Sequence, residues 1–332
     1  MADVRAIARL RRAVSRFVAA GLLATFAGGL PAAVASADGN HEPGTPPAAF
    51  DARASKQYAC PMHCEGAKRY DQPGNCPVCG MMLRLVSAER YAADVRSASG
   101  PLRAGMPATL EFQLRDPAGR KVERLEIVHE KPLHLMIVSE DLSWFAHVHP
   151  IPDGHGHFRL LVTFPAGGIY VLFHDFTPPG VGMQVVPVEL KVDGRRRAAV
   201  PLVVDDTRHQ LVDGYDVTLT HTALALDAEC ALTFRLTRGG KPVTDLEPFL
   251  GAMGHLVVIS ADRATYVHSH PLQGNATTGP AIQFNTTFPR TGVYKAWGQF
   301  QRHGKVITVP FVFEVTVDGH RHPAPGDEGT GR

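Results

Sequence analysis

Two stretches of this chain repeat each other in motif, order and spacing, and that limits the folds open to it. The first copy reads LEFQLRDPAGRKV, HLMIVSEDLSWFAHVHP, FPAGGIYVLFHDF and VPVELKVDG. The second reads LTFRLTRGGKPV, HLVVISADRATYVHSHP, FPRTGVYKAWGQF and VPFVFEVTVDG. His134 precedes His147 by thirteen residues, and His255 precedes His268 by the same interval. The copies occupy residues 90–195 and 212–319, joined by a linker at 196–211. Each contains short β-branched or aromatic runs bounded by Gly, Pro or Asp, and none shows sustained 3.6-residue periodicity. The expected fold is mainly β: two repeated immunoglobulin-like sandwiches, each long enough to bury its own core. RDPAGRKV and LTRGGKP read as hairpin turns in the same place of each copy.

Side chains two apart on a strand share a face. His147 and His149 therefore point the same way, as do His268 and His270. A hairpin through SEDLSW, or SADRAT, brings His134 beside the first pair and His255 beside the second. Three imidazoles in each copy suit Cu(II), Zn(II) or Ni(II), and Met136 and Met253 lie near enough in sequence to add a thioether for Cu(I). The alternative is structural: a His-x-His-Pro corner whose rings bond to backbone. His174 has Gly298 in its repeat position and falls outside the shared set. His155 and His157, between glycines, read as a solvated loop. Cys230 reads as a buried strand residue.

Ahead of the repeats, four of the five cysteines fall in YACPMHCEGAKRYDQPGNCPVCGMML. Cys60-x-x-His63 and Cys76-x-x-Cys79 are close-spaced ligand pairs, and two such turns complete a four-ligand site. Cys64 and Met81 are alternates. Thiolate, imidazole and the thioethers of Met62, Met81 and Met82 form a soft donor set for Cu(I), Ag(I), Zn(II) or Cd(II). A zinc-held or disulfide-held mini-fold at 58–86 is the structural alternative.

This run resembles the heavy-metal-binding domain of some copper and silver P-type ATPases and efflux adaptors. Tyr58, Cys60, Pro61, Met62, His63, Gly74, Cys76, Pro77, Cys79, Gly80, Met81 and Leu83 match its pattern, whereas Cys64 stands where many members carry proline. The resemblance implies heavy-metal binding without naming the metal. The run EPFLGAMGHLVVIS with YVHSHP is similar to secreted bacterial proteins of unassigned function that often carry this motif. These loosely resemble small periplasmic β-sandwich domains associated with copper handling, which implies a metal-handling context.

The N-terminus reads as a secretory signal peptide over residues 1–37: a basic region, an apolar stretch from Phe17 to Val34, and the cleavage site Ala35-Ser36-Ala37. The leader holds five of the 34 Lys and Arg and one of the 32 Asp and Glu, so 29 basic residues face 31 acidic ones after cleavage. That balance argues against a nucleic-acid partner. No segment after the leader is long enough for a membrane span. Residues 38–57 read as a flexible linker and 320–332, with His320 and His322, as a disordered tail. G-x-S-x-G, phosphate-loop and H-E-x-x-H motifs are absent, and the histidine and cysteine spacing does not fit blue copper, so no enzyme is expected.

The expectation is an exported protein, periplasmic or secreted. It binds a heavy metal, with copper foremost and zinc or silver as alternatives. It sequesters the ion or passes it to an efflux transporter or metallochaperone. A cell-surface protein-interaction module with a structural zinc knob is the competing reading.

Overall fold

A computed structural model describes residues 57–60, 65, 68–72, 74–78, 83–86, 90–271 and 278–319, all within one compact unit. The signal peptide, nearly all of the 38–57 linker, and the tail with His320 and His322 lie outside the described residues.

Strands β1 (Gln57–Ala59) and β2 (Arg84–Val86) pair antiparallel in the cysteine module. The first repeat holds β3 (Ala92–Ser97), β4 (Pro107–Arg115), β5 (Leu133–Ser139), β6 (Phe145–Val148), β7 (Ile151–Pro152), β8 (His157–Thr163), β9 (Gly168–Phe176) and β10 (Gln184–Val192). Its two sheets run β3-β4-β8-β7 and β10-β9-β5-β6. The second holds β11 (His209–Val212), β12 (Tyr215–His221), β13 (Cys230–Arg238), β14 (Lys241–Pro242), β15 (His255–Ser260), β16 (Tyr266–Ser269), β17 (Ala281–Thr286), β18 (Gly292–Arg302) and β19 (Lys305–Val315). Here β11, β12, β13, β14 and β17 form one sheet, and β16-β15-β18-β19 form the other. Every pairing between the named strands of the described residues is antiparallel, and the fold is mainly β as expected. Strand β11 occupies the end of the segment read as linker.

Sequence alternation explains which faces are buried. In β4, Ala108, Leu110, Phe112 and Leu114 turn inward; in β13, Cys230, Leu232, Phe234 and Leu236 do the same. Each set packs on its own second sheet and forms a separate core. Strands β5 and β15 are apolar on both faces, as strands covered on both sides must be. Their second faces meet in a third core that the repeat pattern did not announce. Met136, Val138, Val171 and Phe173 of the first repeat pack there on Val257, Ile259 and Trp297 of the second. A fully buried side chain of this kind contributes about 1.5–3 kcal/mol, so the repeats are held as one body. The linker joins this contact: Leu202 packs on it, and Val200 N–H donates to Asp141 Oδ2 at 3.0 Å.

Candidate metal centre

The two hairpins that carry the histidines are built alike. Asp141 Oδ1 accepts from the Ser139 hydroxyl at 2.7 Å and from Ser143 N–H at 3.1 Å, and Leu142 takes a left-handed φ of 55°. Asp262 does the same for Ser260 at 2.6 Å and Ala264 at 3.1 Å, with Arg263 at φ 61°. Such side-chain-closed turns hold strand register. Met136 therefore faces His147, and Val257 faces His268. His134 lies two residues beyond that pair, level with His149; His255 stands the same way to His270.

His134 Nδ1 lies 3.1 Å from His147 Nε2 and 3.2 Å from His149 Nε2. His255 Nδ1 lies 3.3 Å from His268 Nε2 and 2.9 Å from His270 Nε2. The nitrogens of each trio fall within 4.8 Å of one another. Nitrogens bound about 2.0–2.1 Å from one ion at near-tetrahedral angles sit about 3.3 Å apart.

The outer nitrogens decide what lies between the rings. His134 Nε2 donates to Val128 O at 2.9 Å, and His255 Nε2 donates to Phe249 O at 2.8 Å. Both carbonyls come from one tight turn used twice, with His129 and Glu130, or Leu250 and Gly251, at positive φ. His147 Nδ1 donates to Gln299 Oε1 at 2.7 Å, and His268 Nδ1 donates to Asp175 Oδ2 at 2.9 Å. A neutral imidazole has one N–H. With that proton spent outward, the inner nitrogens of His134 and His147, and of His255 and His268, face each other as bare lone pairs. A cation between them satisfies both.

Burial keeps the rings neutral. It pushes His134 down to about 4 against the pull of Asp175, and His149 down to about 3 with help from the neighbouring imidazoles. His147 is also lowered by burial, with the Gln299 bond opposing. His255, His268 and His270 are driven well down by burial first; His268 then lowers His255 and His270, while His268 itself is lowered by His147 and His134 of the other repeat. Neutral imidazole is the ligating form. The donor set therefore fits a borderline divalent ion.

The trios touch. Ring centroids of His134 and His268 are 5.4 Å apart, as are those of His147 and His268, so six histidines form one cluster between the repeats. Sequence reasoning missed three of its neighbours. His129 stacks on His270 at 3.5 Å and has only Leu250 in its repeat position. Asp175 and Gln299 occupy equivalent places in two apolar strands, which was a readable signal. Of the two methionines, Met136 receives the Tyr266 hydroxyl at 3.3 Å and Met253 packs on the second core. His155 and His157 are exposed, and Cys230 is buried with its thiol pushed up to about 12 by desolvation. His174 is buried on the core side.

In the cysteine module, Cys60 and Cys76 are buried with Leu83 against Tyr58 and Tyr70. His63, Cys64, Cys79 and Met81 lie outside the described residues. A cavity of about 310 Å³ is lined by Arg69 of the module together with Met183, Tyr266, His268 and Thr287.

The architecture is thus a tandem β-sandwich protein that carries a metal-binding module. The chain belongs to the family described as a domain of unknown function, DUF8832, which matches at residues 88–194 and again at 210–317. Residues 57–84 match the heavy metal binding domain. Both halves of the sequence expectation, module and duplicated domain, are met. No curated protein matches the chain. Among solved structures it is similar to the Escherichia coli adhesin FdeC, at 16% identity over 71% of this chain and 69% of that one, with a TM-score of 0.23. It is also similar to a two-domain fibronectin type-III segment of chicken tenascin, at 12% identity over 68% of this chain and 100% of that one, with a TM-score of 0.20. A third similarity is to the Yersinia pseudotuberculosis adhesin InvE, at 11% identity over 67% and 58%, with a TM-score of 0.20.

Proposed function

We propose that this chain is an exported heavy-metal-binding protein that sequesters an ion, copper foremost, or hands it to efflux machinery. It performs no catalysis of its own. The observation that carries the reading is the pair of converging trios of imidazoles, one in each of two repeats of one family. The module adds soft thiolate donors suited to Cu(I), and the trios add borderline donors suited to Cu(II) or Zn(II). A binding protein with both sets accepts copper in either oxidation state. The leader-like N-terminal sequence supports the periplasm, or the medium beyond it, as the compartment.

Elemental analysis of protein purified from its own export compartment tests this. More than one ion per chain, with copper among them, is the expected result. A single zinc per chain, unaffected by loss of the histidines, would instead favour the interaction module with a zinc knob.

A further inference from the structure

The acceptor that orients the central histidine of each trio comes from the other repeat, and the two acceptors differ in charge. Asp175 stands level with His134 in the sheet of the first repeat but accepts from His268 of the second. Gln299 stands level with His255 in the second repeat but accepts from His147 of the first. The exchange arises because both side chains project from the outer faces of their sandwiches into the shared core.

The surroundings reinforce the difference. Asp175 also accepts from the Tyr266 hydroxyl at 3.0 Å. Phe145, in the Tyr266 position of the first repeat, has no hydroxyl. The Gln299 amide donates to Thr308 Oγ1 at 3.1 Å, which turns its oxygen toward His147. His134 and His255 are both oriented by backbone carbonyls, so the contrast falls on His147 and His268. A carboxylate bonded to the outer N–H raises the ligand strength of the inner nitrogen; an amide mainly orients the ring. The second trio is also buried throughout, whereas His147 and His149 of the first are only partly buried.

We infer that Asp175 and Gln299 are positioning residues exchanged between the repeats, and that they make the two histidine sites unequal. His255, His268 and His270 hold the retained ion. His134, His147 and His149 hold the exchangeable one. The inference rests on the metal-binding reading above.

The test uses the full chain titrated with Co(II) and with Zn(II) under chelator competition. Thiolate-to-cobalt charge-transfer absorption marks the cysteine module, and d–d bands without it mark the histidine sites. The wild type should show two histidine equivalents of unequal affinity. His270→Ala should remove the tighter and His149→Ala the weaker. Asp175→Asn should weaken the tighter equivalent by about 10- to 100-fold and shift the weaker one much less, because there the Asp175 charge acts on His134 and His147 only across space. Gln299→Asp should tighten the weaker one, a gain that loss of fold cannot mimic. Equal affinities in the wild type, or an Asp175→Asn effect that falls mainly on the equivalent that His149→Ala removes, would overturn the exchange. Absence of any histidine-dependent equivalent would overturn the reading of the trios as metal sites and confine metal to the cysteine module.

Discussion

Phe145 and Trp297 stack face to face across the boundary between the repeats, with ring centroids 4.6 Å apart and planes 12° from parallel. Tyr266 and Phe173 occupy the same two repeat positions with the sides exchanged, and they stack at 5.2 Å and 18°. The repeats therefore meet through equivalent faces in a reciprocal contact, as two copies of one subunit meet in an isologous dimer. The histidine cluster lies in that contact, so anything that loosens it should disturb both trios.

Trp297→Ala should destabilise the protein by about 3–5 kcal/mol, the range for removing a large buried aromatic. Trp297 is 4% exposed and belongs to the core between the repeats. The same variant should weaken binding at the first trio, because Gln299 follows two residues later on the same strand face. Urea denaturation and Co(II) titration measure the two effects. A stability loss with wild-type cobalt binding would separate the stacking from the sites.

The metal-stripped protein should lose stability as acid is added. Burial holds His134 down to about 4 and His149 to about 3 in the folded state, against about 6.5 for unfolded histidine. Below pH 6.5 the unfolded chain binds more protons than the folded one, so stability falls with pH. The loss should begin near pH 6.5 and deepen down through 4 to 3. Thermal melts of chelator-treated protein at pH 7 and pH 4.5 read it directly. Added metal should raise the melting temperature at pH 7 and much less at pH 4.5, since protons compete for the same nitrogens.

Gly298→Ala should destabilise the second sandwich by about 1–3 kcal/mol, as overpacking does. A Cβ there would meet the Phe234 ring at 2.6 Å. The first repeat carries His174 at this place, in edge contact with Phe112 at 5.4 Å, with Nδ1 donating to Val186 O at 2.9 Å. The two cores have thus settled the same space differently. A denaturation midpoint unchanged by Gly298→Ala would mean that the Phe234 ring moves aside without penalty.

Removal of metal should open the cysteine module while leaving the sandwiches folded. Its described apolar cluster is Cys60, Cys76 and Leu83 against Tyr58 and Tyr70, too few to hold a fold unaided. Chelator should make Cys60 and Cys76 react rapidly with a thiol reagent, while the near-ultraviolet dichroism of the sandwich aromatics persists. Thiols equally protected with and without chelator would show that the module does not depend on metal.

Much of this protein is written along the chain. Alternation in PATLEFQLR and CALTFRLTR determines the strands and their inner faces. The repeated Asp-closed turn determines hairpin register, and register brings His134 to His147 and His149, and His255 to His268 and His270. These are local relations, set by period-two geometry and turn chemistry. The cysteine spacing is local in the same sense. What the chain could not state is where the second faces of β5 and β15 go. Apolar residues on both sides of a strand demand cover but do not say from what. Only the packing of one repeat on the other places Gln299 on His147 and Asp175 on His268, 152 and 93 residues away. It also merges two trios into one six-histidine cluster, with His129 stacked on its edge. Long-range contacts of this kind follow from the shape of two finished surfaces, and no spacing along one strand encodes them.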